Sequence, residues 1–198
     1  MIYGIIGILL IGGLVFYLVS CNNKPKASRQ GNSQQVKDKP KETKVKGNHY
    51  SALRKQSFSV TPEQLQLELD DTKIIVFGLI MEWHITEAVI SVVAFKTGDA
   101  SIYFSTGQIF LGGVAHENIR NAALSFVNDG QKYLTFAKST IEMPLPDKGS
   151  VRFYFLTNKG KLFIQDTVED ITNDKSHVKE LFALGNNVIT EYRKTTDK

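Results

Sequence analysis

The chain has 198 residues, 42% hydrophobic and 22% charged, with one cysteine and a formal net charge of +4. That length holds one ordinary domain with appendages. A lone cysteine excludes an internal disulfide framework and any multi-cysteine metal site. The four histidines, His49, His84, His116 and His177, are too far apart in sequence for a standard ligand motif. Charge is unevenly placed: residues 22–56 hold ten Lys/Arg against two Asp/Glu, +8, and residues 57–198 hold fourteen against eighteen, −4. The basic character is therefore local and not a nucleic-acid-binding surface spread over the whole chain.

Ile2 to Val19 is an uncharged, mostly apolar run interrupted by Gly4, Gly7, Gly12 and Gly13. Eighteen residues at helical rise span roughly 27 Å, close to the hydrocarbon thickness of a bilayer. No polar stripe recurs every three or four residues, as a soluble helix would require. Residues 1–21 are read as a membrane-inserting segment, with residues 2–20 in contact with lipid. Two fates fit. Leu18-Val19-Ser20-Cys21 resembles the bacterial lipobox, which implies cleavage and lipid attachment at Cys21. Retention as a single-pass anchor is favoured by the lack of Lys or Arg ahead of the run. The lysines and arginine that follow it, Lys24, Lys26 and Arg29, point the same way and place the C-terminal side in the cytoplasm.

Residues 22–56 turn to Lys, Asn, Gln, Ser, Thr and Pro. So little apolar surface does not offset ordering entropy, and the stretch is expected to be a disordered tether of roughly 30–35 Å root-mean-square span. Its lysines suit an anionic lipid surface, each gaining on the order of 1 kcal/mol there. Nucleic acid is not an expected partner, because Tyr50 is the only aromatic residue available to stack on bases.

The folded domain is expected over residues 57–198. Thr61, Pro62 and Gln64 form a helix start with a capping box, and Val60 and Leu65 are spaced as a hydrophobic staple. Strands follow at Lys73–Glu82, Ala88–Phe95 and Ala100–Phe104, the second apolar on both faces and so central in the sheet. Ile109-Phe110-Leu111 is a further short extended piece. A long helix is expected from Ala115 to Lys138, with Asn128-Asp129-Gly130 weakening its middle. A hairpin then pairs Val151–Leu156 with Leu162–Val168. The last helix is expected from Asp174 to Arg193, with Gly185 admitting a close neighbour.

Together these give an α/β (α+β) domain: a five-stranded, mainly antiparallel sheet packed with helices, in the order α-β-β-β-α-β-β-α. That order resembles the profilin-like, roadblock and longin group of small α/β scaffolds, although roadblock domains divide their strands differently. The resemblance implies a docking or regulatory role and carries over no functional residue.

Three places invite chemistry. Glu82 and His84 stand two apart near a strand end, the spacing of an acid–base pair, with Trp83 between them as a plug or a contact residue. Gly112 and Gly113 precede a helix, and His116-Glu117 open it. The sequence lacks both the Gly-x-Gly-x-x-Gly spacing of a dinucleotide fold and the Lys-Ser/Thr of a phosphate loop, so the pair reads as a strand-to-helix turn and no cofactor is expected. Asp166, Glu169, Asp170 and Asp174 lack the spacing of a calcium loop and read as a solvated connection with capping acids. The reading overall is a membrane-tethered, non-enzymatic interaction module. The alternatives are an envelope lipoprotein acylated at Cys21, or a small enzyme built near Glu82/His84 or Gly112–Glu117.

Overall fold

The computed structural model describes the backbone of residues 41–44 and the chain from 49 to 196. The run Ile2–Val19, Cys21 and the lysine-rich stretch to residue 40 lie outside the described residues. Within those residues no helix is long and apolar enough to cross a membrane.

In chain order the elements are β1 (Lys41–Lys44), α1 (His49–Ser59), β2 (Val76–Ile85), β3 (Ala88–Phe95), β4 (Ala100–Phe104), β5 (Gln108–Leu111), α2 (Glu117–Gly130), β6 (Lys138–Thr140), β7 (Ser150–Thr157), β8 (Gly160–Thr167), α3 (Val168–Thr172) and α4 (Lys179–Thr196). Seven strands, β2 to β8, form one sheet, and the short β1 extends its edge in the order β1-β5-β4-β3-β2-β7-β8-β6. Every pairing is antiparallel.

β3 carries apolar side chains on both faces and lies inside the sheet, covered on both sides. Val92 and Ala94 join the core beneath α2 and α4, and Val89 and Val93 join the core beneath α1. Under the two long helices the packing is close. A Cβ at Gly185 of α4 would stand 2.5 Å from Met81 Sδ, so any larger residue must push the Met81 thioether aside for the helix to lie this close to β2. On the opposite face Phe58 of α1 meets Tyr154 edge-on, with ring centroids 4.9 Å apart.

The sheet has seven strands beside the short β1 where five were expected: β5 takes up the short extended piece at Ile109-Phe110-Leu111, and β6 is added to the expected order. β6 was concealed because the long helix stops early. α2 ends at Gly130 and tightens into a 3-10 turn over Gln131–Phe136 before the chain extends. Gln131 fixes that exit: its Oε1 accepts from Val76 N–H at 2.9 Å, and its Nε2 donates to Ile74 O at 2.8 Å. The last helix, α4, starts at Lys179 and not at Asp174, and a separate short α3 precedes it, with Asp174 between them at φ 58°.

The first helix is displaced. Thr61 and Gln64 do form the reciprocal capping box, Thr61 N–H to Gln64 Oε1 at 3.0 Å and Gln64 N–H to Thr61 Oγ1 at 3.4 Å. The turn they start is cut short by Gln66 at φ 55°. The helix lies earlier, at His49–Ser59, across the boundary drawn at residue 56 between tether and domain. Tyr50, Leu53, Ser57 and Phe58 recur at helical spacing and are buried. Three apolar anchors on one stripe suffice to dock an otherwise polar helix, and average composition conceals them.

Candidate functional site

One register line across the sheet is polar. Ser91 on β3 lies opposite Glu82 on β2, Glu82 opposite Arg152 on β7, and Arg152 opposite Gln165 on β8. Alternation along β2 sends Glu82 to the α1 face, where Arg54 comes down from α1 to meet it.

Glu82 has no exposed side-chain surface, and Arg54 retains 16%. Arg54 Nε donates to Glu82 Oε1 at 2.6 Å and its Nη2 to Oε2 at 2.7 Å, the fork geometry that makes an arginine–carboxylate pair directional. Ser91 Oγ donates to Oε1 at 2.9 Å. With its proton spent there, the serine oxygen accepts from the Tyr50 hydroxyl, also at 2.9 Å. Burial, with the Glu82 charge adding to it, pushes the Tyr50 hydroxyl up to about 12. Burial works against the Arg54 charge, yet the bond and charge of Glu82 hold the guanidinium above its ordinary value.

The second roof element is the segment 141–149, which crosses the same face as a strap. Met143 O accepts from Arg54 Nη2 at 2.6 Å. Pro144 O accepts from Arg152 Nη1 at 3.0 Å and from the Tyr154 hydroxyl at 2.5 Å. Pro146 O accepts from His84 Nδ1–H at 3.0 Å. Pro144 and Pro146 restrict their own φ and keep Met143 and Leu145 extended, so the strap turns its carbonyls onto the polar row with little conformational freedom left. Arg54 thus ties together α1, β2 and the strap.

Glu82 and His84 do share a face, but both Glu82 oxygens are bonded to Arg54 and Ser91, and His84 Nδ1 holds Pro146. Trp83 faces the other way and stacks edge-on against Phe182 of α4, with ring centroids 5.2 Å apart. Gly112 and Gly113 lie elsewhere, in the turn from β5 to α2. Gly112 has φ 82°. A Cβ on Gly113 would come within 2.5 Å of the Tyr192 hydroxyl, which donates to Ala100 O at 2.5 Å. Close approach of α4 therefore explains the second glycine. His116 caps α2 through its backbone, and its side chain makes no capping bond. Of the acidic cluster, Asp166 Oδ1 accepts from Thr167 N–H, and Asp170 exchanges hydrogen bonds with Thr167, the cap of α3. Asp174 pairs with Lys179. Among the described residues no group of three His, Cys, Asp or Glu is placed to hold a metal ion.

Sequence reasoning singled out Glu82 and His84 but missed Tyr50, Arg54, Ser91, Arg152 and the strap. A separate cleft of about 400 Å³ lies between residues 60–71 and the β7–β8 turn. Val60, Leu67, Leu69, Phe77 and Leu156 make its apolar floor, and Lys159 and Asp71 form an ion pair nearby.

Compared with known proteins, the chain matches no family model, and no curated protein or solved structure is significantly similar to it.

Proposed function

We propose that this chain is a membrane-tethered protein-interaction module with no enzymatic role. The uncharged run Ile2–Val19 holds it at a bilayer, the following basic stretch lies against anionic lipid, and the domain faces the cytoplasm. The observation that carries the reading is how the ionisable groups of the polar row are used. Glu82 and His84, the pair from which acid–base chemistry would be built, spend their bonds on Arg54, Ser91 and Pro146. They hold α1 and the strap on the sheet, and the domain offers a partner its outer surface.

Crosslinking the full chain in its native membrane tests this. A protein captured reproducibly, and lost when the strap or α1 is altered, is the expected result. Absence of any captured partner, together with substrate turnover by the purified chain, overturns it. If such turnover survives replacement of both His84 and His116, the enzyme site is not near Glu82/His84 or Gly112–Glu117.

Leu18-Val19-Ser20-Cys21 favours a second reading, an envelope lipoprotein with the same domain outside the cytoplasm. Intact mass of the membrane-extracted protein separates the two. A chain beginning at Met1 supports the retained anchor, and a chain beginning at an acylated Cys21 replaces it with the lipoprotein.

A further inference from the structure

We propose that Arg152 and the strap above it form a recognition site for an acidic residue of a partner protein. The carboxylate enters beside the guanidinium, and apolar neighbours of that residue pack on Ile141 and Leu145. The proposal rests on the interaction-module reading and names the chemistry of the partner.

The charge count around the polar row comes first. Two arginines and one glutamate meet in the row itself, and that glutamate is fully engaged by Arg54 and Ser91, while a second, Glu142, lines the pocket beside Arg152 without an ion pair to it. No carboxylate of the described residues forms an ion pair with Arg152. Its Nη1 holds Pro144 O and the Tyr154 hydroxyl, at 3.0 and 3.3 Å, and its buried Nε has no hydrogen-bond partner among the described residues. The guanidinium carbon stands 5.2 Å from the Phe163 ring centroid and 6.0 Å from that of Tyr154. A half-buried cation between two rings, with no anion bonded to it, attracts one more strongly than a solvated lysine does. The planar fork of arginine suits a carboxylate.

The shape agrees. A pocket of about 140 Å³ is lined by Thr140, Glu142, Pro144, Arg152, Tyr154 and Phe163. That admits a carboxylate and its methylenes, whereas cofactor-sized ligands need roughly 300 Å³ or more. The residues flanking this lining on the strap are apolar and turned outward: Ile141 is 94% exposed and Leu145 45%. Three strap carbonyls are pinned from beneath, so these side chains are presented on a backbone whose ordering cost is already met by the fold. Glu142 on the rim is exposed, and it competes for the site from within the chain.

The chain contains five arginines, Arg29, Arg54, Arg120, Arg152 and Arg193, so arginine-selective 15N labelling of the full chain in detergent gives five Nε signals. The probes are acetyl-Leu-Glu-Leu-amide, its Gln counterpart, sodium acetate and inorganic phosphate. The Glu peptide is expected to move the Arg152 signal saturably with a Kd of about 1 mM, leaving the Arg54 signal in place. The Gln peptide should leave both unmoved. Glu142→Gln should tighten the Glu peptide about twofold, and Ile141→Ser with Leu145→Ser should weaken it about fivefold. Arg152→Lys removes the reporting signal, so binding to that variant is read from the line broadening of the peptide's own proton signals, calibrated on the parent; it should weaken about tenfold, with the Arg54 signal unchanged as the sign of an intact fold. Should Arg152→Lys fail to fold, the Glu142→Gln result decides alone. No movement at about 10 mM Glu peptide, equal movement by the Gln peptide, or tighter binding of acetate or phosphate overturns the proposal. Such a failure leaves the membrane-crosslinking result untouched, and a failed crosslinking experiment leaves the Arg152 titration standing.

Discussion

The two faces of the sheet are built from alternate residues of the same strands, yet they are held by different forces. Toward α2 and α4 the central strands send Leu79, Met81, Val92, Phe153 and Phe155, an apolar surface into which Phe126 packs. Toward α1 they send Ile80, Val93 and Leu156 interrupted by Glu82, Ser91 and Arg152. Apolar burial is non-directional and scales with area, so the first face gains cohesion without specifying one orientation of its helices. A forked ion pair is directional and gains little net energy once desolvation is counted. The second face uses it to place a short helix and a strap.

The sharpest way to break this comparison is to remove one group from each face. Phe126→Ala should lower stability by about 4 kcal/mol, read by urea denaturation, and no polar partner change should restore it. Glu82→Ala should cost about 3 kcal/mol because Arg54 is left without its counter-charge in a place it barely shares with water. Replacing both, as Glu82→Leu with Arg54→Met, should recover most of that loss. If the double replacement is as unstable as the single one, the pair is a net source of stability and the contrast between the faces is wrong.

Much of the dry face was legible in the sequence, because alternation in Ala88–Phe95 and the apolar stripe of α2 are periodic signals. The polar face was not. Its row follows from register: with Ile85 opposite Ala88, counting back along both strands sets Glu82 against Ser91. Ending the first strand at Glu82 hides that line, because the strand runs on to Ile85 and only Thr86 and Glu87 make the turn. The usable signal was a polar residue inside each apolar strand, Glu82, Ser91 and Arg152, which sequence separation conceals. α1 was hidden for a different reason. Its three apolar anchors are diluted among three serines, Arg54, Lys55 and Gln56, and only their spacing reveals a buried stripe.

A smaller effect probes the close approach on the dry face. Gly185→Ala places a methyl where Met81 Sδ now lies, and the thioether is flexible enough to move part of the way. A loss of about 2 kcal/mol by thermal or urea unfolding is expected, as for other overpacked cores. Met81→Ala in the same chain should relieve part of it, since the two groups compete for one space.

Tyr50 supplies a test that depends on pH. Below pH 9, Tyr50→Phe should cost about 1 kcal/mol, the worth of a buried hydrogen bond to Ser91. The hydroxyl titrates near 10 in an unfolded chain and at about 12 here. As pH rises between those values the unfolded state gives up its proton first, so the parent protein loses stability that the Phe variant has no hydroxyl to lose. The gap between the two should close by about pH 11 and reverse in favour of the Phe variant by about pH 12 when urea midpoints are compared. A constant gap would mean that Tyr50 is not shielded by α1 as the geometry places it.

The smallest effect belongs to the strap, and its smallness is informative. Ile141 is 94% exposed, so Ile141→Ser removes almost no buried surface. The backbone there is fixed by Pro144 and by carbonyl contacts to Arg54, Arg152 and His84 that the substitution does not touch. Unfolding by urea should stay within about 0.5 kcal/mol of the parent. A larger loss would show that Ile141 packs against the domain in solution and is not displayed outward. The polar face would then be closed to partners where Ile141 and Leu145 stand out from the strap.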